Sequence, residues 1–234
     1  MTHALLRALA GKLIVSCQPV TGGPMDRPDI VAATALAALA GGASALRLEG
    51  IANIRAVRQA TDAPVIGLIK RDLPGTALRI TPFAEDVRAL AEAGADIIAV
   101  DATALPRPEP VPALIAAIRQ TGRLAMADCA TLADARSAQA AGAEILGSTM
   151  SGYTGGPVPD EPDLALVSDL AALGAFTIAE GRYQNTDQAA AAIRAGADAV
   201  VIGTAITRTE VVTGWFAEAV TGAVTGAVTG AGAA

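Results

Sequence analysis

A single-domain (β/α)8 barrel is the fold this chain predicts, and three observations predict it. Eight short aliphatic stretches recur along the 234 residues, separated by Ala- and Leu-rich helical patterns. They are continuously apolar rather than alternating, which marks strands covered on both faces, as in a parallel sheet. A weak repeat joins four of them: GGASALRLEG (41–50), AGADIIAVDA (93–102), AGAEILGSTM (141–150) and AGADAVVIGT (195–204). Each is a glycine-containing helix end running into a strand that finishes in polar or small residues. The alternative, a doubly wound open sheet, normally has fewer strands in this length.

In chain order, KLIVSCQ (12–18) supplies the first strand and the 41–50 segment the second, with a helix over Ile30–Ala40 between them. PVIGLIK (64–70) is the third, and helix Pro82–Ala93 leads to the fourth at 93–102. Helix Pro112–Gln120 precedes RLAMADC (123–129), and helix Leu132–Ala141 precedes the sixth strand at 141–150. Helix Leu164–Leu173, AFTIAEG (175–181), helix Thr186–Ala195 and the 195–204 segment close the set. The barrel is expected over residues 1–218. AVTGAVTGAVTGAGAA (219–234) is low-complexity, and glycine at every fourth position costs about 1 kcal/mol each relative to alanine in a helix. Weak helix or disorder, without chemistry, is the expectation there. Trp215 and Phe216 fit a helix packed on a partner subunit or an ordinary core.

Composition excludes several function classes. A net charge of −6 and a pI near 4.8 argue against nucleic acid or a polybasic membrane footprint. The one histidine, His3, stands at the N-terminus, so Ser–His and Cys–His nucleophile pairs and His-ligated zinc lack their histidine. No metal is expected. Cys17 and Cys129 are too few for a disulfide framework and suit a reducing cytoplasm. Ile14-Val15-Ser16-Cys17 has the look of a lipoprotein cleavage box, but Arg7 and Lys12 interrupt the stretch of about 7–15 apolar residues a signal needs. A mean hydropathy of +0.45 raises the question of a membrane span. The charge-free run between Asp29 and Arg47 is broken by Gly41-Gly42 and falls short of the roughly 20 residues required.

Barrel chemistry sits at the C-terminal ends of the strands. Here those ends carry Gln18, Arg47, Lys70, Asp101, Asp128, Ser148 with Thr149, Glu180 followed by Gly181-Arg182, and Gly203-Thr204. One such charge is explained by a strand meeting water; eight ends with both signs point to a convergent site. Gly181 and Gly203 place backbone N–H groups where the last two βα loops of barrels hold phosphate, with Arg182 and Arg208 able to add bidentate contacts. Tight βα turns alone would also use these glycines. Tyr153, among small polar neighbours, suits a phosphate or sugar contact. Cys17 and Cys129 flank the same mouth and raise a thiol-base reading, which their ordinary tendency to be buried opposes.

The segments Ile14–Gln18, Val65–Asp72, Ile80–Pro82, Ala95–Thr103, Met126–Asp128, Ser148–Thr154, Ile178–Arg182 and Val201–Arg208 together resemble the bacterial N-acetylmannosamine-6-phosphate 2-epimerases. KRD, SGYT, AEGR and GTAITR are specific as a set, and the resemblance runs from about residue 12 to 208. The chain departs from the family pattern at Leu105, where an arginine is expected, in Tyr183-Gln184-Asn185, and in the tail. The resemblance implies interconversion of N-acetylmannosamine 6-phosphate and N-acetylglucosamine 6-phosphate through an enolate at C2, in sialic acid catabolism. No cofactor is implied, and a homodimer is. Such chemistry needs a base, an acid and an oxyanion stabiliser. Lys70 matches the family's catalytic lysine. To be neutral near pH 7 its pKa must fall, and Arg47, Arg71 and burial are expected to lower it. Glu180 is a relay or second acid/base, or a plain salt-bridge partner. Gln18, Arg47 and Asp128 orient hydroxyls or the acetamido group, and Gly181, Arg182, Gly203, Thr204 and Arg208 hold the phosphate. The competing readings are a Schiff-base aldolase using Lys70 and a phosphosugar sensor without turnover.

Overall fold

A computed structural model describes residues 2–230. Eight parallel strands close into a barrel in sequence order: β1 (Lys12–Ser16), β2 (Ala45–Glu49), β3 (Val65–Leu68), β4 (Ile97–Asp101), β5 (Leu124–Asp128), β6 (Ile145–Gly147), β7 (Phe176–Glu180) and β8 (Ala199–Ile202). Closure comes from pairing β1 with β8, Lys12 opposite Ala199 through Val15 opposite Ile202. The open-sheet alternative is thereby removed. Helices α1 (Thr2–Leu9), α2 (Pro28–Ala40), α3 (Ile51–Arg58), α4 (Ala84–Ala93), α5 (Val111–Gln120), α6 (Leu132–Ala140), α7 (Leu164–Ala171) and α8 (Thr186–Arg194) are followed by the short α9 (Thr204–Thr207) and by α10 (Thr209–Gly230).

Alternate strand residues divide two cores. Ile14, Ile66, Ile97, Met126, Ile145, Ile178 and Val201 fill the barrel interior. Leu46, Val65, Ile98, Ala125 and Leu146 face outward against Val31, Ile54, Leu90, Ile115 and Leu170 of the helices. Each fully buried Leu, Ile or Val side chain contributes about 1.5–3 kcal/mol, which is why the strands read as unbroken apolar runs. Side-chain caps start several helices: Thr131 and Asp134 form a capping box on α6, and Asn185 caps α8 through the Gln188 N–H. Each such cap is worth about 1 kcal/mol.

The N-terminal segment holds an element that the sequence pattern did not reveal. It is a helix whose Leu5, Leu6 and Leu9 pack into the interior core and stopper the N-terminal end of the barrel. His3 belongs to this helix, remote from the strand C-termini. In the tail, α10 runs on as helix to Gly230, across the 218/219 boundary, the helical of the two alternatives expected there. Extending a helix already nucleated costs far less than starting one, so the glycines do not end it. The tail's last four residues, 231–234, lie outside the described residues. No helix among the described residues is long and apolar enough to cross a membrane.

Candidate active site

With the N-terminal end stoppered, access is from the C-terminal ends of the strands, where a cavity of about 350 Å³ opens. Its wall brings together Gln18, Arg47, Lys70, Tyr153, Glu180, Gly181, Arg182, Gly203, Thr204 and Arg208. Asp128 is not in that wall. It is completely buried beneath it, with Oδ2 accepting from Arg47 Nη2 at 2.7 Å and Oδ1 accepting from Thr149 Oγ1 at 2.7 Å. It therefore reaches the cavity through those two partners.

Lys70 lies two residues beyond β3, in a loop that folds back on itself. Lys70 bridges Ile80, Arg71 N–H donates to Arg79 O, and Thr81 N–H donates to Ile69 O at 2.7 Å. Thr81 holds the return leg with φ 45, a left-handed conformation uncommon for a β-branched residue. Glu49 Oε1, at the end of β2, accepts from the Lys70 N–H at 3.3 Å. Burial lowers the Lys70 pKa to about 8, aided by Arg208 and Arg47 and opposed by Glu49. Arg71 takes no part in this. Its side chain turns to Asp86, with Nε 3.0 Å from both carboxylate oxygens, and stacks over Phe83. Successive residues beyond a strand point opposite ways, so the neighbour of Lys70 in sequence is not its neighbour in space.

Glu180 ends β7 with its main chain pinned by Ser148, whose Oγ donates to Glu180 O at 2.9 Å and accepts from Glu180 N–H at 3.1 Å. Its carboxyl is pushed up to about 7 by burial; Arg47 pulls it down and Asp128 adds to the rise. Arg47, 1% exposed, stands between Asp128 and Glu180, at 2.7 Å and 3.2 Å. Single removal of such a buried charge leaves its partner unpaired, a large penalty.

The opposite wall is built by β7, β8 and α9. Gly203, at φ −114 and ψ −81, precedes α9, and Gly181 (φ 115) and Arg182 (φ 63) take consecutive positive φ values. Gly181, Arg182, Gly203 and Thr204 all line the cavity on this side. Arg208 closes α9 and donates from Nε to Gln18 O at 2.9 Å. Arg182 braces a loop as well as lining the cavity: Nε donates to Glu161 O at 2.8 Å, Nη1 donates to Ser151 O, and the guanidinium lies 5.7 Å from the Tyr153 ring centre. Tyr153 is 44% exposed.

Three features escaped the sequence reading. Thr149 lines the cavity, and only its position at a strand end hinted at that. Trp215, read as a partner contact or core residue, stands in the cavity wall; a helical aromatic carries no sequence signal to separate these. Arg107, from the stretch that departs at Leu105, reaches back to Asp101 O at 2.8 Å and organises the loop after β4. The thiols face the outer core instead of the cavity. Burial pushes Cys17 up to about 12 and raises Cys129 further, which removes them as bases near neutral pH.

Comparison with known proteins bears on the family and the fold. The family described as "Putative N-acetylmannosamine-6-phosphate epimerase" (NanE) matches residues 31–222. The "Bifunctional enzyme NanE/NanK" of Brucella melitensis is 60% identical over 95% of this chain, which spans 43% of that enzyme's length. An Actinobacillus pleuropneumoniae relative named "Putative N-acetylmannosamine-6-phosphate 2-epimerase" is 53% identical, over 93% of this chain and 96% of its own. The solved structure of the N-acetylmannosamine-6-phosphate 2-epimerase from Clostridium perfringens superposes with a TM-score of 0.88 at 35% identity, covering 92% of this chain and 95% of that one. Matched along nearly all of the barrel in both sequence and shape, the chain belongs to the N-acetylmannosamine-6-phosphate 2-epimerase family.

Proposed function

We propose that this protein interconverts N-acetylmannosamine 6-phosphate and N-acetylglucosamine 6-phosphate. The observation that carries the reading is one cavity holding a lysine lowered to about 8, a carboxyl raised to about 7 and, in the same wall, Gly181, Gly203, Arg182 and Arg208. In the open-chain sugar the C2 proton is acidified by the adjacent aldehyde. Lys70, as the free amine, removes it. The electron pair moves to the carbonyl oxygen as an enolate, stabilised by the positive charge of Lys70 and Arg47. Glu180 returns a proton to the other face of C2; Lys70 then loses its proton to solvent and Glu180 regains one from solvent, which resets the site. Gly181, Arg182, Gly203, Thr204 and Arg208 hold the phosphate, Arg182 partly by keeping its loop in place. Gln18, Arg47 and Tyr153 orient the hydroxyls and acetamido group, with Asp128 acting through Arg47. The experiment is direct: incubation with N-acetylmannosamine 6-phosphate yields N-acetylglucosamine 6-phosphate, and its non-appearance rejects the reading.

A pH profile follows from the two shifts. Below about 7 both groups carry protons and no base is present; above about 8 both have lost them and no acid remains. The productive form holds one proton between the pair, so kcat/KM rises through about 7 and falls past about 8, apparent values that belong to the pair. Limbs near the ordinary glutamate and lysine values would contradict this assignment.

A phosphorylated amino sugar is the small-molecule partner on this reading, and a second copy of the chain is the protein partner. An apolar groove lined by Leu13, Ala189, Ile193, Val200 and Ile206 lies where α8 and β8 meet β1, while Phe216 (69%) and Val220 (65%) of α10 are exposed. These exposed apolar surfaces, which a second copy would cover, support a homodimer. Light scattering that returns one 23.2 kDa chain contradicts it. A reducing cytoplasm suits the two buried free thiols.

A further inference from the structure

Arg47, Asp128, Thr149 and Glu180 close a ring. Arg47 Nη2 is 2.7 Å from Asp128 Oδ2, Asp128 Oδ1 is 2.7 Å from Thr149 Oγ1, Thr149 Oγ1 is 3.2 Å from Glu180 Oε2, and that oxygen is 3.2 Å from Arg47 Nε. A hydroxyl has one hydrogen and two lone pairs. Thr149 thus touches two carboxyl groups and can donate to one. The shorter contact, to completely buried Asp128, takes the hydrogen. A hydroxyl hydrogen turned to Glu180 would hold that carboxyl down; with the one hydrogen committed to Asp128, the second contact is a hydrogen bond only if Glu180 supplies the proton, donating from Oε2 to the Thr149 oxygen.

Two further observations agree. Arg47 spends its aligned N–H on Asp128, while its Nε has no aligned acceptor despite lying near Glu180; one guanidinium balances one carboxylate. Gly147, between these strands in register with Asp128 and Ile178, leaves the space. A Cβ there would come 2.7 Å from Met126 Cε, 3.2 Å from Thr149 Oγ1 and 3.3 Å from Asp128 Oδ1.

We infer that Thr149 is a positioning residue whose hydroxyl, committed to Asp128, accepts the Glu180 proton and keeps that carboxyl protonated and aimed into the cavity between turnovers. This rests on the epimerase reading for its consequence but not for its geometry. The charged groups facing Glu180 are Arg47 from β2, Lys70 from the loop after β3 and Asp128 from β5. Behind Asp128 stand Asp101 and its partner Arg107. Arg182, next in the chain, turns toward the loop after β6.

The test compares Thr149→Val, which keeps the shape and loses the hydroxyl, with Thr149→Ser, which keeps the hydroxyl. The Glu180 carboxyl is followed by carbon-13 NMR in the substrate-free protein, assigned with Glu180→Gln. Thr149→Val is expected to lower the Glu180 titration by about half a unit to one unit, the size of one neutral hydrogen bond. With N-acetylmannosamine 6-phosphate, its kcat falls about tenfold to a hundredfold while KM stays within about threefold, and Thr149→Ser restores both readouts. Thr149→Ala, reading the same loss, replaces the valine variant if that one melts below the assay temperature. A titration that moves upward means the hydroxyl donates to a Glu180 carboxylate, and overturns the inference. So does an unchanged titration, a raised KM with kcat intact, or a serine variant that behaves like valine. If the wild type fails to turn over the sugar phosphate, the epimerase reading fails, and the carboxyl titration still decides the Thr149 inference.

Discussion

Lys70→Ala leaves kcat at least about a thousandfold below wild type, within the range a positioned acid–base group supplies, with the melting temperature almost unchanged. Both halves follow from placement. The lysine is half-buried in the cavity wall, forms no ion pair among the described residues, and belongs to a loop whose shape is held by main-chain bonds at Arg71 and Thr81. Removing it costs the barrel little. Burial beside Arg208 and Arg47 is what makes its free amine available near neutral pH, and no other wall residue replaces it. Thermal melting with kcat measured on N-acetylmannosamine 6-phosphate checks both. Retention of about a tenth of wild-type kcat, a loss of only about 1.4 kcal/mol in transition-state stabilisation, removes Lys70 from the base role.

Arg47→Met has the opposite signature, a large stability loss together with the loss of turnover. Arg47 and Asp128 are 1% and 0% exposed at 2.7 Å. Methionine keeps much of the volume but strands the Asp128 carboxylate in the interior. Breaking a buried pair this way costs about 3–5 kcal/mol, or about 6–20 °C in melting temperature at this size. Adding Asp128→Asn removes the stranded charge, so the double variant recovers part of the loss, and the two substitutions are non-additive as neighbours are. Calorimetry on the three variants reads this. Additive losses, or Arg47→Met melting with the wild type, contradict the buried-pair account.

How much of this was legible in the chain differs between levels. The strands lie where continuous apolar runs ended in polar residues, because burial on both faces leaves a strong local mark. The N-terminal helix was missed since its Leu5, Leu6 and Leu9 acquire meaning only once a barrel exists for them to stopper. The cavity residues were visible as strand ends, but their pairings were not. Arg71 was expected beside Lys70, yet Arg208, brought round by pairing of β1 with β8, takes that place. Asp128 read as a sugar contact and lies beneath the floor, a depth no spacing encodes. Thr149 has no titrating chemistry of its own, and its place between two carboxyls exists only in three dimensions.

The central claim is proton removal and return at C2 by two groups on opposite walls. Proton NMR of N-acetylmannosamine 6-phosphate with the enzyme in D₂O tests it most directly. The account predicts that the first N-acetylglucosamine 6-phosphate carries deuterium at C2 while recovered substrate stays largely protiated, since the proton returned never came from the sugar. Absence of product, or early product that retains its C2 proton, would contradict it.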